Sequence, residues 1–399
     1  MIHRVYILIL IALILPDIYL RFRCRRIHGK PPGRGRYVAG ALIVADLCMC
    51  VYTLWLAFLP DFAPERMEWL TAYLFLLCAV FVPKFIIIAC CAAADVTSRS
   101  ARDISHVKRT KNLWISAGWI IAVAVASAVV YSGTIGFSRL TVRHIEYRSK
   151  DVPAAFDGYK IVQFSDTHVG SYVGKGTCIL SAAVDSVMAQ DADAIVFTGD
   201  LQNMRPEEIA PVRSILASVH ARDGVYSVLG NHDYAVYIRQ DSALCRRNEA
   251  LLIDEERSLG WHLLIDDNRI IRRGADSIVV AGMENVSKKP YFVHKGDMAK
   301  TMRGVTSGAF VIMLEHDPTA WRKRILPECE AQLTLSGHTH AGQIIVCGLS
   351  PAMLSYKEWF GRYDSDDGRM LYVSAGVGGF VPFRFNDPGE IVVITLRRE

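Results

Sequence analysis

The sequence predicts an N-terminal α-helical membrane bundle followed by an α/β domain, and three observations predict it. Hydrophobic residues make up 51% of the 399, and the mean hydropathy is positive, which is high for a wholly soluble protein. The excess is concentrated in four apolar stretches within the first third of the chain. The remainder alternates apolar strands with helical patterns, and strand after strand ends abruptly in Asp, Asn or His. The expected boundaries are 1–135 for a membrane anchor with about four transmembrane helices and 136–399 for the α/β domain.

The apolar stretches are Val5 to Leu20, Tyr37 to Leu59, Trp69 to Ala94 and Leu113 to Gly133. Three are long enough for a hydrocarbon core of about 30 Å, and the first is marginal. A cleaved signal peptide does not suit the first stretch, because Pro16-Asp17 followed by an Arg run is no small-residue cleavage site. Asp46 and Lys84 lie inside spans, where a polar path or partner contact is one reading and helix-facing residues satisfied inside the bundle are the simpler one. Up to Ile135 there are 15 Lys and Arg against 7 Asp and Glu. The basic balance of the whole chain therefore belongs to this third, and no nucleic-acid binding is expected of the rest.

Seven Lys and Arg fall between Arg21 and Arg36 and five between Arg99 and Lys111, whereas Pro60 to Glu68 holds only Arg66 with three acids. Positive charge retained inside makes the first and third loops cytoplasmic. The chain then leaves its fourth span outward. An integral inner (cytoplasmic) membrane protein is expected, with everything after about Phe137 on the extracytoplasmic face. Of ten cysteines, six lie in or beside the spans, and Cys178, Cys245, Cys329 and Cys347 show no zinc-type spacing. One disulfide among those four is open, with no pairing readable.

Leu140 to Arg148 alternates as a half-exposed strand. Lys160 to Phe164 then reads as a buried strand that delivers Asp166 and His168, two apart and so on one side of an extended chain. A glycine-bearing loop, Gly170 to Gly176, leads to a helical pattern from Ile179 to Met188. Ala194 to Thr198 is an apolar strand ending in Gly199-Asp200, and a helix is expected from Pro206 to His220. Val225 to Leu229 repeats the device with Gly230-Asn231-His232-Asp233. Strand, helix, strand, helix, strand implies a parallel-type sheet whose carboxyl ends converge on a ligand site. A second, strand-rich set follows: Ile270-Ile271, Ser277 to Ala281, Ala309 to Leu314 before Glu315-His316, Gln332 to Ser336 before Gly337-His338-Thr339-His340, then Gln343 to Cys347, Leu371 to Ser374 and Ile391 to Leu396.

The strand ends thus supply Asp166, His168, Asp200, Asn231, His232, Asp233, His316, His338 and His340. Carboxylate, imidazole and amide ligands together suit two divalent ions such as Mn, Fe or Zn better than one structural zinc, which prefers Cys. Two ions sharing a carboxylate can hold a water as hydroxide and clamp a phosphoryl oxygen, the chemistry of phosphoester hydrolysis. His144, His220, His262 and His294 fall outside any such block.

These blocks resemble, in order, the five signature blocks of the calcineurin-like metallophosphoesterase superfamily, from about Leu140 to the C-terminus. Gly337 to Gln343, Val373 to Gly378 and Pro382 to Glu390 resemble its bacterial membrane-associated YkuE/YaeI-like branch. Ala341 replaces a glycine usual there. The resemblance implies a four-layer α-β-β-α sandwich of two mixed sheets. It implies that Asp166, His168, Asp200 and His340 hold one metal, and that Asp200, Asn231, His316 and His338 hold the second, with Asp200 bridging. His232 resembles the general acid, with Asp233 orienting it. Glu284 and Arg384 are further candidates for touching substrate, against structural salt bridges. Asn285-Val286-Ser287 is a sequon common by chance.

The expected function is a membrane-anchored dimetal phosphoesterase acting on phosphate mono- or diesters, with a metal-bridging hydroxide as nucleophile and a substrate that is lipid-linked or part of the cell envelope. The alternative is a lipid or nucleotide-lipid pyrophosphatase, like the UDP-2,3-diacylglucosamine hydrolases, facing the cytoplasm; the loop charges oppose it. A membrane receptor or transporter with an inactive C-terminal module fits less well, since none of the seven ligand residues of the pattern is missing.

Overall fold

A computed structural model describes the chain apart from residues 1, 29–32, 60–63, 99–103, 173–175, 238–241 and 288–292. The side chains of 2–4, 24–28, 33–39, 42, 64–66 and 104 also lie outside the description. Lys30, Asp61, Arg99 and Arg102, four of the loop charges used above, are therefore outside the described residues, as is part of the Gly170 to Gly176 loop. Two compact units emerge: Met1–Phe62 with Glu68–Tyr131, and Ser132–Glu399 with the short piece Ala63–Met67.

The first unit is helical: Ile2–His28, Gly33–Phe58, Pro64–Leu76, Val82–Thr97 and Ile104–Tyr131. A wide π-helical turn, Leu77–Phe81, joins the third helix to the fourth. Pro83 sits just past it, where a ring without an N–H is accommodated by the locally relaxed hydrogen-bond ladder. Among the described residues three helices are long and apolar enough to cross a membrane: Val5–Arg23, Met67–Thr97 and Ser105–Gly136. The second apolar stretch is helical too, but its described apolar part, Ile43–Phe58, is shorter. Lys84 Nζ lies 2.5 Å from Asp17 Oδ1 and 3.0 Å from Asp46 Oδ2, so the intramembrane charges are paired inside the bundle.

The second unit holds two six-stranded sheets. Its strands are β1 (Leu140–Ser149), β2 (Lys160–Phe164), β3 (Ala194–Phe197), β4 (Val225–Ser227), β5 (His262–Leu263), β6 (Asp267–Arg273), β7 (Asp276–Gly282), β8 (Phe310–Leu314), β9 (Leu333–Ser336), β10 (Gly361–Asp364), β11 (Met370–Val373) and β12 (Gly389–Arg398). One sheet runs β1-β12-β2-β3-β4-β5 and the other β10-β11-β9-β8-β7-β6. Both are mixed. In the first, β12 is antiparallel to β2 while β2, β3 and β4 are mutually parallel. In the second, β7, β8, β9 and β11 are parallel between antiparallel edges.

Strand alternation explains the layering. Ile161, Val196 and Ile394 from one sheet meet Val280, Ile312 and Leu335 from the other in a shared core. Their neighbours along each strand face outward: Val162 and Ile195 pack with Leu180 and Val184 of the helix Thr177–Met188. Val311 and Met313 pack with Trp321 and Ile325. The result is the expected α-β-β-α sandwich, in which three parallel strands of the first sheet and two of the second end on the same site.

Two local expectations are corrected, and one open point is resolved. Pro206 to His220 is not one helix but short turns, Pro206–Glu208 and Ala210–Val212, before Arg213–Leu216; Pro211 interrupts the ladder. Gln343 to Cys347 is not a strand and makes only isolated bridges, Ile344 to Phe385 and Val346 to Leu349. Cys178, Cys245, Cys329 and Cys347 are free thiols.

Candidate metal centre

Every motif residue sits just past a strand end, but the backbone there is not extended. Asp166, His168, Asp200, His338 and His340 have φ of 53°, 46°, 60°, 75° and 51°. This left-handed region is uncommon for residues with a Cβ, and its cost concentrates at functional sites. The extended-chain argument for Asp166 and His168 is therefore corrected: a turn, not strand alternation, brings them together. The glycines of the motifs are explained by close approach. A Cβ on Gly230 would lie 2.2 Å from Asp200 Oδ1, and one on Gly337 2.2 Å from Asp166 Oδ2.

The turns gather two overlapping groups. Asp166, His168, Asp200 and His340 present ligand atoms within 4.8 Å of one another, and so do Asp200, His316 and His338. Asp200 belongs to both. His168 Nε2 and His340 Nε2 are 3.3 Å apart, and Asp200 Oδ2 is 3.5 Å from His168 Nε2 and 3.2 Å from His316 Nε2. Asn231 Oδ1 lies 3.1 Å from His316 Nε2, and His338 Nδ1 lies 3.2 Å from the same atom. Donor atoms bound to one ion at about 2.0–2.1 Å stand about 3.0–3.4 Å from each other by simple geometry. The spacing and the chemistry of the donors fit two divalent ions sharing Asp200.

Burial and mutual charge set the protonation. Burial lowers the His168 imidazole to about 3 and His338 to about 4, and holds His340 well below its ordinary value. These three rings are neutral and offer lone pairs. Burial also works to lower His316, but the Asp200 carboxylate overrides it and pushes that ring up to about 10. The Asp200 carboxylate thus draws positive charge to this position, the charge that a bound cation would supply.

The partners of the outer atoms complete the site. His316 Nδ1 donates to the Thr198 carbonyl at 2.7 Å. His338 Nε2 is 2.8 Å from the Tyr356 hydroxyl and 3.6 Å from Asp317 Oδ2. Asn231 Nδ2 donates to the Tyr237 hydroxyl at 2.7 Å, which fixes the amide oxygen toward the cluster. His232 Nδ1 donates to the Asn203 carbonyl at 2.6 Å, and the ring stacks on Tyr237 with centroids 4.4 Å apart.

The expectation that Asp233 orients that ring is corrected. Its carboxylate accepts from the backbone N–H groups of Asp200, Leu201, Gln202 and Gly230, tying two strand ends together. Arg384 is likewise structural. Fully buried, it donates to the carbonyls of Ala375, Gly376 and Gly378 and to Asp387. The loop it clamps packs on Asp166, through Val377 N–H to the Ser165 carbonyl and Gly378 N–H to the Asp166 carbonyl. Glu284 accepts from Tyr234 Oη and is not among the gathered groups. His144, His220, His262 and His294 lie on the surface. Sequence reasoning missed Tyr237, Tyr356, Asn203 and Asp317. Only Asp317 carried a signal, its position directly after His316.

Residues 159–342 match the family model described as calcineurin-like phosphoesterase. The chain carries a calcineurin-like metallophosphoesterase domain. A transmembrane protein with metallophosphoesterase domain from Danio rerio is 27% identical over 286 residues, 70% of this chain and 62% of that one. Its namesake from Bos taurus is 28% identical over 309 residues, 75% of this chain and 66% of that one. The chain therefore spans about two thirds or less of these curated relatives. The uncharacterized metallophosphoesterase YkuE of Bacillus subtilis is 28% identical over 290 residues, 68% of this chain and 93% of YkuE. The metallophosphoesterase domain thus has both bacterial and animal relatives, and its Ala341, at φ 50°, takes on a left-handed conformation that a glycine would adopt without strain.

Proposed function

We propose that this chain is a membrane-anchored, metal-dependent phosphoesterase whose active site is the Asp200-centred cluster. The supporting observation is that two ligand groups share one carboxylate while a histidine that belongs to neither, His232, stands beside them with its Nδ1 proton committed to a carbonyl. Asp166, His168, Asp200 and His340 would hold one ion; Asp200, Asn231, His316 and His338 the other. Two divalent ions bound there, Mn, Fe or Zn, would supply Lewis acidity and an activated water.

What the chain itself contributes is placement and a proton. Asn203 holds the His232 ring so that Nε2 is the free atom, able to carry a proton to the departing ester oxygen. Burial lowers this ring's affinity for a proton while the Asp200 charge raises it, and the negative charge of a bound phosphoester would act in the same direction as Asp200. Asp233 keeps the Asp200 and Gly230 turns in register, and is a positioning residue. The helices of the first unit serve as the anchor, and the loop charges favour an extracytoplasmic catalytic domain that meets lipid-linked or cell-envelope phosphoesters.

Full-length protein in detergent should hydrolyse bis-p-nitrophenyl phosphate or p-nitrophenyl phosphate only with added divalent metal. Undiminished turnover in chelator overturns the reading. His232→Asn should retain bound metal while turnover falls by about two to four orders of magnitude; loss of metal instead would make His232 a ligand. Protease added to spheroplasts of an expressing bacterium should digest the domain. Protection until lysis would place it in the cytoplasm and favour the nucleotide-lipid pyrophosphatase.

A further inference from the structure

Between Gln343 and Tyr356 the chain carries no charged residue, and then Lys357, Trp359, Phe360 and Arg362 follow. Within that run Val346, Leu349, Met353 and Leu354 are 51%, 66%, 44% and 91% exposed. After Leu140 the described residues include seven large exposed apolar side chains, and four of them fall in these nine positions. The other three, Val236, Leu251 and Ile270, are scattered singly, as on any soluble surface. A cluster of this kind marks an interaction surface.

The segment is held firmly rather than left loose. Val346 and Leu349 exchange both backbone hydrogen bonds at 2.9 Å around Cys347 and Gly348, which sit at φ 51° and 78° and form a closed two-residue turn. Ser350 then caps the short helical turn Pro351–Leu354. Both ends are tied to the metal-ligand motif. Ser350 Oγ donates to the Ala341 carbonyl at 2.6 Å, Tyr356 Oη meets His338 Nε2 at 2.8 Å, and Thr339 Oγ1 donates to the Trp359 carbonyl at 2.6 Å. The apolar tip is thus a fixed rim of the cluster that ends at His338 and His340.

We infer that residues 346–354 dip into the lipid interface, so that the site takes phosphoesters presented at a membrane surface; this rests on the phosphoesterase reading above. Two features favour a bilayer over a protein partner as the occupant. The apolar tip is followed by exposed Lys357 and half-buried Trp359 and Phe360, types that settle at the headgroup level, while the one acid among them, Glu358, is buried against Arg322. The same chain carries helices long enough to cross a membrane.

The test uses the full chain in nanodiscs of phosphatidylcholine and phosphatidylglycerol, with and without bromine on the acyl chains. Leu354→Trp adds an indole at the tip, and Asp254→Trp adds one at an exposed helix position as control; the wild-type signal from the seven native tryptophans is subtracted. The added Leu354→Trp emission should fall at least twofold in brominated nanodiscs while that of Asp254→Trp stays within about 20%. Equal, unquenched emission from both variants overturns the inference. So does protection of the tip only as the mass of the particle doubles, which would assign the surface to a second copy of the chain. Metal-dependent hydrolysis of bis-p-nitrophenyl phosphate, measured on the same samples, reports separately on the phosphoesterase reading. Active enzyme with an unquenched tip sinks this inference alone.

Discussion

The two halves of the metal cluster are built by different means. In the half made of Asp166, His168 and His340, all three residues have left-handed backbone, and their positions are dictated by turns packed against Gly337 and the 375–378 loop. In the half made of Asn231, His316 and His338, only His338 is left-handed, and each side chain is oriented by a hydrogen bond from its far atom to Tyr237, Thr198 or Tyr356. One half is aimed by the backbone and the other by a shell of side chains and carbonyls. Backbone turns resist single substitutions outside them, whereas an outer hydrogen bond can be deleted by one atom. The second half should therefore be the tunable one.

The largest effect should come from Asp200, where the halves meet. Asp200→Asn keeps the shape but removes the charge that serves both groups. Bound metal measured by atomic spectroscopy should fall for both ions together, with turnover reduced by at least about three orders of magnitude. Loss of only one equivalent would mean that the carboxylate serves one half and that the halves are independent.

Tyr356→Phe sharpens the contrast. Removing one hydroxyl takes away the 2.8 Å partner of His338 Nε2, and the second ion should bind about 10- to 100-fold more weakly. The first should be unaffected. Competition titration with a chelating dye, resolving two affinities, checks this. If both weaken equally, the backbone-held half depends on the outer shell as well, and the distinction made here fails.

This division also explains what was legible in the sequence. The ligands could be read because each closes an apolar strand, and β2, β3, β4, β8 and β9 need only hydrophobicity and length to be recognised. The four-layer architecture came from the resemblance of those blocks to the calcineurin-like superfamily, not from the strand patterns themselves. The left-handed turns at Asp166 and His168 could not be read, since no glycine marks them; tertiary packing imposes the conformation. Tyr237, Tyr356 and Asn203 reach the site from loops with no local pattern. Arg384 misled because a basic residue near a phosphate site looks the same in one dimension whether it faces ligand or four carbonyl and carboxylate oxygens. The Pro206 to His220 pattern was amphipathic enough for a helix, but Pro211 decided otherwise.

A last effect falls on neither half but on the support beneath both, and it shows in stability rather than in turnover. Glu256, on the helix Ser242–Ser258, is fully buried, and among the described residues no cation pairs with its carboxyl, which has only the Ser227 hydroxyl beside it. Burial, reinforced by the nearby Asp233 charge, pushes its carboxyl up to about 8. A carboxyl raised on folding binds its proton more tightly in the native state. Its contribution to stability is therefore complete below the unfolded value near 4.5 and is lost as pH rises through about 8. Glu256→Gln, permanently neutral, should be close to wild type at pH 5 and more stable at pH 8.5, by an amount on the order of 3 kcal/mol. The comparison is the midpoint of the catalytic domain's thermal transition for both proteins across that range at saturating metal. A gap that stays constant with pH would mean that Glu256 is ionised at all of them. Because Asp233 ties the Asp200 turn to the Gly230 turn, the same ionisation should weaken metal retention in both halves equally. A loss confined to the Asn231, His316 and His338 half would show that the helix supports only the side-chain-aimed part of the site.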